Sequence, residues 1–515
     1  MKRVFFFSIL FIVTSCNSDR QNTPGNNGPI KAVAGYKPQA FRNDNRVEQI
    51  RSIIPRFHQQ MEAFAKSKGI PAVAYGIVVD NQLVMDSAVG VINLEKQLPA
   101  STQSSFRIAS MSKSFTAMAI MKLVEDGKVM PNSPASKYIP ELDHIEYLTS
   151  DATPMTIENL LTMTAGFPED NAWGDRQLDE PDSMLLNLMK SGPSLSNIPS
   201  YSYEYSNTGY ALLGKVISNV TGKPYQQYIS EELLKPLGMN ETYWEYNDVP
   251  EDQLVIGYAP DSITIAPMLH DGSFGAMGGL ITSIQDFSKY VSFHLSAWPP
   301  RNDPDKGPVK RSSLRKMHQP QFVRLLSSAK DANNEPCPEV VGYGYGLRIR
   351  TNCQGIREVG HGGALPGFGS NYVFYPDLGI GLMAFCNLTY TAPWELTEIK
   401  KLLFEEIKLE PRVLPPSDIL LQRQAEVVEL INTWDPQLEK RILAENFYLD
   451  QNRKLRKQRI DSLLAIVGDI QQVTDIEPLN QLRGHFEMIG EQDTLNIWFT
   501  LSPESDPKVQ RLVVW

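Results

Sequence analysis

Apolar residues recur at helical spacing between Arg46 and Lys68 (Ile50, Ile53, Phe57, Met61, Phe64), which predicts an amphipathic helix stopped by Gly69. Two runs rich in strand-forming residues follow, AVAYGIVVD and LVMDSAVGVI, parted by Asn81 and Gln82, the pattern of a β-hairpin. The stretch FRIASMSKSFTAMAIMKLVEDG then gives a helix that is apolar nearly all round from Phe115 to Val124 and stops at Gly127. A helix of that kind is buried in the centre of a domain. Residues from about 130 to 300 read as mainly helical, broken by Gly and Pro. Strand signals return at Gly342–Arg350, Arg357–Val359, Gly369–Tyr375 and Gly379–Cys386, before a helix through WELTEIKKLLFEEI. Strands at both ends of a helical middle predict an α/β (α+β) unit over 46–410, with one sheet built from both ends and an α-rich insertion between them.

After Pro411 the pattern changes. VLPPSD reads as a linker, followed by two helical stretches and short alternating runs such as HFEMIG, LNIWFTL and RLVVW. Residues 411–515 are therefore expected to form a small accessory α+β domain. Its basic run Arg453–Arg459 shares a helix with Ile460, Leu463, Leu464 and Val467, so it reads as the solvated side of a packed helix. No 20–50-residue period is present, which excludes solenoids and propellers.

Composition narrows the classes. Lys and Arg number 49 against 59 Asp and Glu, a net charge of −10, which offers no footprint for nucleic acid. The N-terminus changes the picture more. Lys2 and Arg3, the apolar run VFFFSILFIV and the small residues before Cys16 fit a signal peptide over 1–15, and VTSC resembles a bacterial lipobox. Cys16 is thus the expected lipidation site, residues 16–45 a flexible tether, and the cell envelope the destination, with the membrane as a partner through the anchor. In that oxidising setting Cys337 and Cys353, which flank GYGYGLRIR, stand either bridged or free. Cys386 lies in an apolar run and reads as a buried hydrophobe.

Three short motifs carry chemistry. Ser-x-x-Lys puts a hydroxyl and an amine one helical turn apart on one face, and a desolvated lysine can then serve as base to the serine. Of four matches only Ser110/Lys113 opens a buried helix, where the serine N–H can also face a substrate oxygen. Ser313/Lys316, Ser327/Lys330 and Ser505/Lys508 lie in polar stretches and are expected at the surface. Tyr205-Ser206-Asn207 is the second motif. Its phenol can be a phenolate or relay a proton, and the Asn amide can hold the lysine and a substrate carbonyl. Equally, Asn207 or Thr208 can simply cap the helix that follows. The third is His361-Gly362-Gly363-Ala364, where glycines allow close backbone approach and an N–H can complete an oxyanion hole; read alone, it is a turn.

Taken together and in this order, the motifs resemble those of the serine beta-lactamase/penicillin-binding superfamily, closest to the class C beta-lactamase-like branch of D-alanyl-D-alanine carboxypeptidases, D-aminopeptidases and esterases. LLTMTAGFP, PLGMNETYW and GAMGGLITSIQDFSKYV are similar to stretches of that branch. The resemblance implies a beta-lactamase/transpeptidase-like fold, an antiparallel sheet flanked by helices. It implies Ser110 as acyl-forming nucleophile, Lys113 as its base, Tyr205 as proton shuttle and Asn207 as the group that orients lysine and substrate. His361, Gly362, Gly363 and Ala364 would line the site, with the N–H groups of Ser110 and Ala364 as the oxyanion hole. Class C beta-lactamases carry Lys-Thr-Gly where this chain has His-Gly-Gly, as peptidase-like and esterase-like members do. The substrate is then a small molecule or peptide, no metal or other cofactor is called for, and the alternatives are a beta-lactamase of the same fold or a non-catalytic penicillin-binding or sensor protein.

Overall fold

The structure, a computed structural model, describes residues 35–330 and 335–515. The expected signal peptide, Cys16 and the tether as far as residue 34 lie outside them. Two compact units emerge, one of residues 38–413 and one containing 414–515. Among the described residues no helix is long and apolar enough to cross a membrane.

The larger unit begins with helix α1 (Arg46–Lys68), closed by Gly69 in the left-handed conformation, φ 64°. Strands β1 (Ala72–Val79) and β2 (Gln82–Asn93) form the expected hairpin around Asp80-Asn81, and β3 (Leu98–Pro99) extends it. From the other end of the unit come β6 (Phe322–Ser327), β7 (Glu339–Tyr343), β8 (Arg348–Thr351), β9 (Arg357–Leu365), β10 (Phe368–Tyr375) and β11 (Ile380–Cys386). All nine join one antiparallel sheet in the order β3-β2-β1-β11-β10-β9-β8-β7-β6. The first and last strand-rich segments of the unit therefore meet at its centre, where Val73 faces Cys386 and Val79 faces Ile380.

Both faces of that centre are covered, which is why β1 and β11 read as nearly continuous apolar runs. Alternation sends Ala74 and Val78 to the side of the buried helix α2 (Ser112–Glu125), and Val73, Tyr75 and Ile77 to the side of α1. Between β3 and β6 lies the α-rich insertion. It includes α3 (Asn207–Thr221) and α4 (Ile284–Leu295), together with a small pair of strands, β4 (Phe106–Arg107) and β5 (Ile281–Thr282), that fixes the approach to α2.

Several expectations need correction. Residues 40–45 are pinned rather than free: Ala40 pairs with Val413, and the Phe41 ring lies under the Arg46 and Arg412 guanidinium groups. The single strand expected over Gly342–Arg350 is two, because the chain reverses at Gly344–Leu347 with Gly346 at φ 69°. Cys337 and Cys353, just outside these two strands, are disulfide-bonded. Ser313 is buried against Glu125 rather than exposed. Strand β6 escaped notice because its Val323, Leu325 and Leu326 are exposed on the sheet's edge, with no alternating pattern.

The smaller unit holds helices α5 (Asp418–Thr433), α6 (Pro436–Ile442) and α7 (Arg453–Val467) and strands β12 (Ile470–Val473), β13 (Glu477–Asn480), β14 (Arg483–Gly490), β15 (Thr494–Leu501) and β16 (Val509–Val514). It has its own core, including Leu420, Val427, Ile442, Phe486, Ile497 and Phe499. In α7, Ile460 and Val467 are buried, while Arg453, Arg456 and Lys457 make ion pairs with Glu439, Asp450 and Asp461.

Candidate active site

Ser110 sits in a 3-10 turn, Ala109–Met111, that leads straight into α2. Ala109 holds φ 52°, a left-handed backbone that costs a non-glycine residue about 1 kcal/mol or more. Neighbours hold it there: Ser112 Oγ donates to Ala109 O at 2.8 Å, Ile108 N–H to Leu280 O at 2.9 Å, and Ser370 Oγ to Ile108 O at 2.7 Å. The turn carries Ser110 to the edge of the core with 8% of its surface accessible.

One turn on, Lys113 is wholly buried. Its Nζ lies 2.9 Å from Ser110 Oγ, 2.7 Å from Asn207 Oδ1 and 2.9 Å from Met277 O. None of these partners carries charge. Desolvation therefore dominates and lowers the lysine to about 7, against the opposing pull of Asp175 and Asp170. A substantial share of Lys113 is then unprotonated near neutrality, as a base to Ser110 requires.

Tyr205 and Asn207 arrive from the start of α3. The N-cap is Ser206, whose Oγ accepts from Gly209 N–H, rather than Asn207 or Thr208. Asn207 is the first helical residue and its amide is free to face the lysine. The Tyr205 ring lies 4.9 Å from Lys113 Nζ, with Ser110 near its hydroxyl. Desolvation raises the phenol well above its usual range despite the Arg348 charge, so Tyr205 is a neutral phenol and the phenolate alternative falls away.

The His-Gly-Gly-Ala segment is no turn but the last part of β9. Beyond Gly360, where pairing with β8 ends, this edge of β9 approaches the Ser110 turn. A Cβ on Gly363 would come 2.2 Å from Ile108 O and 2.4 Å from Ser370 Oγ, so only glycine permits the approach. Ala364, the next residue, pairs with Gly369 of β10. His361 is buried beside Tyr205, with ring centroids 6.1 Å apart. Burial and the Arg348 and Lys113 charges drive it well below the usual histidine value, so the ring is neutral. Its Nδ1–H donates to Gly362 O at 2.5 Å, which leaves Nε2 to accept from the Tyr343 hydroxyl at 3.1 Å.

Sequence reasoning missed five participants: the Met277 carbonyl, Tyr343, Arg348 and the carboxylate pair Asp170 and Asp175. Arg348, on the exposed start of β8, acts electrostatically on Lys113, Tyr205 and His361. The only trace of the carboxylates was the acidic, glycine-containing stretch EDNAWGD. Among the described residues no group of three or more His, Cys, Asp or Glu is placed to hold a metal ion.

The Ser110 turn, a desolvated lysine, a phenol and a glycine-lined strand edge thus lie together where the sheet meets the helical insertion. The chain belongs to the Beta-lactamase family, whose model matches residues 57–403. That family consists mostly of serine hydrolases, and membership supports an enzyme of that class. Among curated proteins, Protein flp of Staphylococcus aureus (strain MW2) is 29% identical over 325 residues, 62% of this chain and 60% of that protein. Beta-lactamase-like protein 2 of Dictyostelium discoideum is 29% identical over 242 residues, 45% of this chain and 44% of that protein. Two solved structures share the fold. The octameric penicillin-binding protein homologue from Pyrococcus abyssi has a TM-score of 0.55 and 23% identity, covering 89% of this chain and 95% of that one. The penicillin-binding protein from Bacillus halodurans has a TM-score of 0.53 and 22% identity, covering 67% and 99%.

Proposed function

We propose that this chain is an exported, lipid-anchored serine hydrolase that forms an acyl-enzyme on Ser110 and hydrolyses amide or peptide bonds, including those of D-amino acids, with esters as the second substrate class. The observation that carries the reading is the 2.9 Å approach of a fully buried, charge-deprived Lys113 to Ser110 Oγ. Neutral Lys113 takes the Ser110 proton as Oγ attacks the substrate carbonyl. The N–H groups of Ser110 and Ala364 hold the oxyanion. The Tyr205 hydroxyl passes a proton to the leaving nitrogen and is reprotonated from Lys113. Water then enters by the same proton path in reverse, giving the carboxylic acid and free Ser110.

Peptide is favoured over ester by Arg348. A cation on the solvent side of the site suits a substrate that ends in a carboxylate. Neutral His361, hydrogen-bonded at both nitrogens, supplies no second positive charge. A fluorophosphonate probe tests the core of the proposal: it should label the wild type and leave Ser110→Ala unlabelled. Equal labelling of both would overturn it. In the same preparations, D-alanyl-D-alanine peptides should turn over faster than their C-terminal amides and than matched esters; faster turnover of the esters would move the assignment to esterase.

A further inference from the structure

Outside the three motifs, the turn Asp170–Asp175 reaches into the site. Asp170 fixes the start of α3: its carboxylate accepts the N–H groups of Asn207 at 2.6 Å and Thr208 at 2.8 Å, and the Thr208 hydroxyl at 2.6 Å. Asp175 does something different. Because Asn207 presents Oδ1 to Lys113, its Nδ2 must point away, and it donates to Asp175 Oδ1 and Asn171 Oδ1, both at 3.3 Å. The turn is pressed on Asn207 so closely that a Cβ on Gly174 would lie 2.8 Å from Asn207 Cβ. Asp175 is only 4% exposed, so this carboxylate is held out of water beside the catalytic amine. Ser110, Lys113, Asn207 and Asp175 thus form one hydrogen-bonded line.

We propose that Asp175 is a positioning residue of this centre: acting through the Asn207 amide, it holds Lys113 against Ser110 and favours the protonated state of the lysine. The inference rests on the reading of Lys113 as base to Ser110. A buried carboxylate stabilises a nearby ammonium. It thereby keeps Lys113 from becoming permanently neutral in its apolar setting, so that the lysine can both take and return a proton in each cycle. Burial raises Asp175 itself to about 6, opposed by the Lys113 charge and by the nearby Tyr390 hydroxyl. The remaining charged and titratable groups around the pair are Asp170, Arg176 and Arg348, with the Tyr205 and Tyr210 rings 4.9 and 5.8 Å from Nζ and neutral His361 opposite.

Asp175→Asn keeps an oxygen for the Asn207 Nδ2 and removes the charge. In the full-length protein labelled with 13C at lysine Cε, the Lys113 resonance, assigned by its loss in Lys113→Ala, reports the titration without any substrate. Its midpoint should fall by roughly one pH unit in Asp175→Asn. The acid limb of fluorophosphonate labelling at Ser110 should move down by the same amount, because the base loses its proton at lower pH. An unchanged Lys113 midpoint in folded Asp175→Asn, with a wild-type circular dichroism spectrum, overturns the proposal. A shifted midpoint with no labelling of the wild type would uphold the Asp175 coupling and overturn the hydrolase reading instead. If Asp175→Asn does not fold, Asp175→Glu serves. By keeping the charge it should restore a midpoint within about 0.3 units of wild type, and a midpoint as low as that expected for a neutral residue would overturn the proposal.

Discussion

At the scale of single residues, protonation states decide what the site can do. Desolvation works in opposite directions on the two groups that handle protons, lowering Lys113 and raising Tyr205. The amine becomes a usable base and the phenol stays a donor. Moving a proton from serine to leaving group needs both, because the lysine alone lies on the serine side of the path. Tyr205→Phe should therefore fold normally and lose roughly 10²–10⁴ in turnover, the usual cost of removing a positioned general acid. Steady-state rates on a peptide substrate, with thermal melting as the control for folding, check this. Near-wild-type turnover would make Tyr205 a packing residue. The sequence made Ser110, Lys113, Tyr205 and Asn207 legible because each lies in a short motif whose spacing has a mechanical meaning. Asp175, Tyr343 and Arg348 belong to no such motif, and their roles exist only through contacts between separate segments, such as Asp175 with Asn207, 32 residues apart, and Tyr343 with His361, 18 apart.

At the scale of elements, the site is an accident of no single strand or helix. It needs the Ala109–Met111 turn, the first turn of α3 and the free edge of β9 to converge, and glycines permit the close approaches, Gly363 against Ile108 O and Gly174 against Asn207 Cβ. The Gly363 approach is the tightest of these, since β9 carries both the residue that neighbours the nucleophile turn and the N–H of the proposed oxyanion hole. Gly363→Ala would drive a methyl group into Ile108 O and Ser370 Oγ and force strand and turn apart. A displacement of about 1 Å at a reacting centre can cost 10²-fold in rate. Ser110 labelling should slow by about that factor while the circular dichroism spectrum is retained; an unchanged rate would show that β9 does not set the geometry. This element was the one most misread from sequence. His-Gly-Gly looks like a turn because glycine is poor in strands, and strand propensity cannot register that a neighbouring backbone requires glycine there. The split of the β7–β8 segment was hidden for a similar reason. The GYGYGLRIR pattern alternates as a strand should, yet Gly346 must turn because the start of α2 occupies its path: a Cβ there would lie 2.8 Å from Lys113 O.

At the scale of the whole molecule, every residue of the candidate site lies between 109 and 364, inside the unit of residues 38–413. That unit closes its own sheet. Its last strand pairs with its first, and Val413 is tied back to Ala40 by two backbone hydrogen bonds of 3.0 and 2.8 Å. The apolar residues of 414–515 likewise pack into a core of their own, with Phe499 inside it and Trp498 on the opposite side of β15 beside Arg483 and Arg511. Separate cores mean that removing one unit leaves the other's buried surface largely intact, and the hydrophobic contribution to its stability with it. A chain ending at Val413 should therefore fold, keep the Lys113–Ser110 contact and label with fluorophosphonate at a rate close to that of the full chain. Circular dichroism and labelling kinetics on the two proteins side by side test this directly. If the shortened chain folds and melts cooperatively but no longer reacts at Ser110, the C-terminal unit completes the active site. The boundary in the chain would then separate two cores without separating two functions.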